Sequence, residues 1–169
     1  GARYLASRIE RDGLPFGRVL TLMTGADGGV VTDLRGLAAW LSVHCLNQSR
    51  RLLIERDPLG TILYGDVRHF SLRDKQAVFM ALRNEAQRNP WLHSEDWSSS
   101  SFGALGTKDM EPVLREILIS SSRDRADQEI VNCALEAIRY GEPLSNLNDL
   151  LEAIARDSSY HRFVRTNAI

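Results

Sequence analysis

The stretch SLRDKQAVFMALRNEAQRN, positions 71–89, decides how the rest of the chain is read. Leu72, Lys75, Phe79, Leu82 and Ala86 recur at every third or fourth position, and Val78 and Ala81 widen the stripe. That spacing is the signature of an α-helix with one apolar face. Ser71 with Asp74 resembles a capping box, in which side-chain oxygens at the helix start satisfy backbone N–H groups; Asp is a weaker partner there than Glu or Gln. Asn89-Pro90 stops the helix, because the residue before a proline is pushed out of the α region.

The same period continues toward the N-terminus. Tyr4, Leu5, Arg8 and Ile9 mark a first helix, closed by Asp12-Gly13. Pro15 opens a second, with Phe16, Val19, Leu20 and Met23 on one face, and Gly25 ends it. Gly25 to Gly29 has the chemistry of a turn. Thr32 or Asp33 is expected to cap a third helix, with Leu34, Leu37, Ala38, Leu41 and Cys45 on its apolar face. Leu52 and Leu53 belong to a fourth, limited by Pro58. Residues 59–64 fit a short helix or a short strand, and Gly65-Asp66 is a turn.

Toward the C-terminus, residues 89–108 carry Ser98 to Ser101 in a row together with Trp91, Trp97 and Phe102. They read as a loop or linker, and as the boundary between two parts. Beyond it the pattern repeats. Val113, Leu114, Ile117 and Leu118 are followed by Ile130, Val131, Ala134, Leu135 and Ile138, with Gly141 and Pro143 as the stop. Leu147, Leu150, Leu151 and Ile154 are then followed by Tyr160, Phe163, Val164 and Ala168. Ile117 corresponds to Ile154 and Val131 to Val164, offsets of 37 and 33 residues. One helix pair cannot bury its stripe alone, so it stacks on the next, which is the logic of an α-solenoid. The expected architecture is all-α: an N-terminal helical bundle over 1–88, a loop over 89–108, and antiparallel helix pairs over 109–169.

Composition narrows the function classes. The net charge is −1, so no global field points to nucleic acid or a membrane surface. Residues 1–20 lean basic through Arg3, Arg8, Arg11 and Arg18, against Glu10 and Asp12. The two cysteines, Cys45 and Cys133, sit in apolar helical patterns and read as buried, reduced thiols of a cytoplasmic protein. No apolar run approaches the roughly 20 residues of a membrane span, and no signal peptide is visible. The chain starts at Gly1, and Tyr160 to Ile169 read as a helix without a stop signal. A piece of a longer protein is therefore expected, truncated within its C-terminal helices. Phe163 and Ile169 would then expose apolar surface able to join two copies.

Sites for chemistry are few. A phosphate-cradling loop needs glycines followed by Lys and Ser or Thr, whereas Gly25–Gly29 runs into Val30-Val31-Thr32. His44, His69, His93 and His161 form no HxxxH or HExxH pair. Asp57, Asp66 and His69 share one irregular stretch, where two carboxylates and an imidazole suit a metal or acid–base chemistry, or equally the caps and turns of helices. The serine run lacks a nucleophile elbow. Arg50-Arg51, Arg123/Arg125 and Arg162/Arg165 stand beside acidic neighbours, as on solvated helix faces. Trp91, Trp97 and Phe102 have two readings: anchors for a protein partner, or rings folded back into the groove between the helical halves.

Asp57-Pro58-Leu59-Gly60-Thr61-Ile62-Leu63-Tyr64-Gly65-Asp66-Val67, preceded by Leu37-Ala38-Ala39-Trp40-Leu41, resembles a helical region of large bacterial proteins. There it lies downstream of a NACHT-type (STAND-class) nucleotide-binding module. The later segments, with Val164-Arg165 and Ala168 on the second helix of a pair, resemble HEAT repeats. Together these resemblances cover most of residues 3–169, apart from the serine-rich loop. They imply a non-enzymatic scaffold or sensor segment attached to an NTPase switch, contacting a protein partner or its own parent chain. The nucleotide-binding residues of such proteins lie in another part, so no cofactor residue is carried over. Two alternatives stand beside this: a nucleic-acid-binding helical domain, and a small metal- or acid–base-dependent hydrolase using Asp57, Asp66 and His69.

Overall fold

The computed structural model describes residues 1–89, 92, 99–120, 122 and 124–169. They are all-α: helices and 3-10 turns, with one isolated β-bridge between Thr24 and Val30 and no strand among the described residues. They form two compact units, Gly1–Ala81 and Leu82–Ile169. The division falls inside a helix and not in the serine-rich interval 89–108.

The first unit begins with α1 (Ala2–Glu10) and α2 (Phe16–Met23). Gly13 lies between them in the left-handed region at φ +71°, and Pro15 precedes the first turn of α2. Both are backbone conformations these residues adopt at low cost. The Gly25–Gly29 stretch closes on itself: Gly25 N donates to Gly29 O at 2.9 Å, and Val31 N donates to Met23 O at 2.9 Å. Asp27 accepts from Gly29 N, and Arg56 donates to Gly28 O. Its inner donors and acceptors are thus used within the chain, as in an ordinary turn.

Thr32–Leu34 form a 3-10 turn, and α3 (Arg35–His44) follows it directly. The expected cap at Thr32 or Asp33 is not made. Backbone i to i+3 bonds carry the chain into the helix instead. Helix α3 packs against α1, α4 (Asn47–Arg56) and α5 (Pro58–Tyr64). Ala38, Leu41 and Cys45 meet Ala6, Val19, Met23 and Leu53 in a buried cluster. Residues 58–64 are helix, and the reason is at their start. Asp57 accepts the Gly60 N–H as N-cap, and Pro58 occupies the first turn.

Helix α6 (Leu72–Arg88) begins in the first unit and ends in the second. Ser71 accepts from Asp74 N at 3.2 Å, and its hydroxyl donates to Asp74 Oδ2 at 2.9 Å. Val78, Leu82 and Ala86 are fully buried and Phe79 nearly so, as the stripe predicts, whereas Leu72 at its start is 40% exposed. Lys75, in the same stripe, is only 3% exposed.

In the second unit the serine-rich stretch is not a free linker where it is described. Ser99–Leu105 wind into a 3-10 helix that packs on α8 (Arg125–Tyr140), with Phe102 and Leu105 fully buried. Backbone meets backbone there. A Cβ on Gly106 would lie 1.8 Å from Ala137 O, and one on Gly103 would lie 2.1 Å from Tyr140 O. Glu142 N donates to Gly106 O at 2.6 Å, fixing the approach. A 3-10 turn, Lys108–Met110, leads into α7 (Glu111–Ser120), which packs on α8. Asp124 caps α8 by accepting from Asp127 N.

The remaining elements keep a fixed register with these. The 3-10 turn Ser145–Leu147 lies 37 residues after Lys108–Met110. Helix α9 (Asn148–Arg156) starts 37 residues after α7, and His161, N-cap of α10 (Arg162–Asn167), lies 37 after Asp124. Helix α10 packs on both α8 and α9. Ile117 and Ile154 keep this offset of 37, whereas Val131 and Val164, matched in sequence at 33, fall one turn out of it; all four are buried.

Candidate functional site

Asp57 is the best-held carboxylate of the Asp57, Asp66 and His69 group. Besides capping α5, it accepts Arg35 Nε at 2.8 Å on Oδ2 and Arg35 Nη2 at 2.9 Å on Oδ1. Arg35 also lies over the Tyr64 ring, 5.7 Å from its centroid. Both oxygens of Asp57 are therefore engaged by donors of its own unit. Gly60 makes this possible, since a Cβ there would sit 2.0 Å from Asp57 Oδ2. Asp66 and His69 stand one turn apart at 3.7 Å, with His69 largely exposed and Asp66 half-buried. Among the described residues, no group of three His, Cys, Asp or Glu side chains could hold a metal ion.

Arg50 is a second focus. Its guanidinium donates to Ser42 O at 2.9 Å and Val43 O at 3.2 Å, carbonyls in the last turn of α3. It also donates to Asp74 Oδ2 at 2.6 Å and lies 5.0 Å from the centre of the Phe70 ring. The orphan carbonyls of a helix end are satisfied here by a cation, which also complements the helix dipole. This arginine, read in the sequence as part of a solvated pair, is a tertiary clamp. Arg123 lies outside the described residues.

The two thiols are buried and free. Burial pushes Cys45 up to about 11, with Glu10 adding to the shift and Arg50 opposing it. Cys133 is raised well above the ordinary thiol value, first by burial and then by Glu136 and Glu129. Neither is poised as a thiolate at neutral pH.

Of the histidines, His161 helps to start α10. Its Nδ1 accepts the Phe163 N–H at 3.4 Å, while its own backbone N–H donates to Gln128 Oε1 at 2.8 Å. His44 is half-buried beside Trp40, their rings 6.1 Å apart. His93 lies outside the described residues.

The three aromatics singled out in the sequence part company. Trp91 and Trp97 lie outside the described residues. Phe102 is fully buried in the second unit, so its ring faces the protein interior. The large apolar side chains that do reach the surface of that unit include Phe163 on α10, 69% exposed, and Ile119 on α7, 62% exposed; Ile169 is almost wholly exposed. The sequence pattern placed Phe163 and Ile169 among these, while Ile119 is exposed because it follows Leu118, which takes the core position of that turn. No helix among the described residues is long and apolar enough to cross a membrane.

Comparison with family models, with curated proteins and with solved structures finds no match to this chain.

Proposed function

We propose that this chain is a non-enzymatic, HEAT-like helical segment of a larger cytoplasmic protein, working by presenting surfaces for protein contacts. The observation that carries the reading is the 37-residue register between the 3-10 turn, α7 and α8 N-cap and the 3-10 turn, α9 and α10 N-cap, with α10 packed on α8. Bonds across the two pairs support it. Asn146 donates to Glu111 at 3.0 Å, Arg115 donates to Asn146 O, and Tyr160 donates to Leu118 O at 3.2 Å. A second pair that docks on the first through such contacts is how a solenoid propagates.

The resemblance to the region downstream of a NACHT-type module fits the same reading. The Asp57–Gly65 stretch then serves as a capped, arginine-locked helix of the scaffold. The contact is with a protein partner or with the parent chain's own switch module, and Phe163 and Ile119 are exposed apolar side chains that the second unit offers for it. The exposed Phe163 and Ile169 at the C-terminal helix would join two copies of the chain when no other partner is present.

The reading is tested by affinity capture from lysate of the source organism, with the wild-type chain and a Phe163→Ser/Ile119→Ser variant as baits. Circular dichroism first confirms that both fold. Retention of a specific protein by the wild type, lost in the variant, is the expected result. Equal background on both baits contradicts an exposed contact surface at these residues. Loss of captured material with rising salt, together with nucleic acid in the eluate, would favour the nucleic-acid alternative.

A further inference from the structure

We draw no further inference here: the strongest candidate, the partly exposed surface rings of Trp40 on α3 and Tyr64 on α5 in the first unit, carries nothing because nothing in the structure shows what covers them.

Discussion

Arg35 and Asp57, 22 residues apart in the chain, are joined by two parallel hydrogen bonds of 2.8 and 2.9 Å. The pair is mostly shielded from water, and the same carboxylate caps α5. One side chain therefore holds the start of one helix to the start of another. Such two-pronged arginine–carboxylate pairs are stronger and more directional than single contacts.

Asp57→Ala removes both functions and leaves Arg35 half-buried without its carboxylate. The expected loss of stability is about 2–4 kcal/mol, the sum of a lost cap and a broken, partly shielded ion pair. Asp57→Asn keeps a capping oxygen but loses the charge and one of the two oxygens that accept from Arg35, so its loss should be smaller than that of alanine, about 1–3 kcal/mol. Urea midpoints for the two variants check the ordering. Equal losses would mean that the cap carries nothing of its own.

Gly106 tests the close approach of the 3-10 helix to α8. The atoms a new Cβ would meet are the carbonyl of Ala137 at 1.8 Å and the Cα of Gly141 at 3.0 Å, backbone that cannot swing aside. Gly106→Ala should cost about 3 kcal/mol, at the upper end of overpacking. Gly36→Ala is the control, because a Cβ on that α3 residue meets nothing within 4 Å. It should stabilise by about 0.5–1 kcal/mol through helix propensity. Thermal melts of the two variants should therefore shift in opposite directions.

What the sequence made legible follows from the range of the forces involved. Helix periods, the Gly13 and Pro15 punctuation and the Ser71 start are local, and each appears where the pattern puts it. Residues 59–64 were ambiguous only by periodicity. Asp57 followed by Pro58 is itself a helix-start signal that settles them. The helix within 99–105 was hidden by its serines, since what holds it is backbone contact at Gly103 and Gly106 with α8. The paired glycines three residues apart were the available clue. The ion pairs of Asp57 with Arg35 and of Arg50 with Asp74 join residues 22 and 24 apart, which spacing cannot reveal.

The thiols give a reactivity test. Cys45 and Cys133 should resist thiol reagents at pH 8 until the chain unfolds, because both are buried and protonated. They also give a pH test. In the fold Cys45 titrates at about 11, above the ordinary value of 9.0, so the folded state disfavours its thiolate. The stability this reflects is whole below pH 9 and is lost as pH rises through about 11. Denaturant midpoints should fall over that window, and Cys45→Ala should flatten the fall. An unchanged slope in the variant would place the alkaline loss elsewhere.

At the acid end, the Ser122 hydroxyl, then the Asp127 N–H, hold the Asp124 carboxyl below its ordinary value of 3.8. The ionised cap is favoured by the fold. Its contribution is present above the ordinary carboxylate range and is lost as pH falls through the lowered value. Asp124→Asn keeps a capping oxygen but not the charge that the fold favours, so stability at neutral pH should fall modestly. It should also remove part of the acid dependence of α8 helicity, followed by circular dichroism from pH 6 to 2. An acid profile identical to wild type would exclude Asp124 as its source.

The functional reading stands on the stacking of one helix pair on the next, and Val164 is where it is most exposed to test. Its side chain is fully buried on α10, which packs on α8 and α9. Val164→Ala should cost about 1–2.5 kcal/mol, by analogy with other losses of buried methyl groups. Native-state hydrogen exchange shows where that loss is felt. In a stacked array it is shared with neighbouring elements, so amides of α8 and α9 should lose protection together with those of α10. Loss confined to α10 would make that helix a loose cover and not the second half of a stacked pair, and the repeat reading would fall with it.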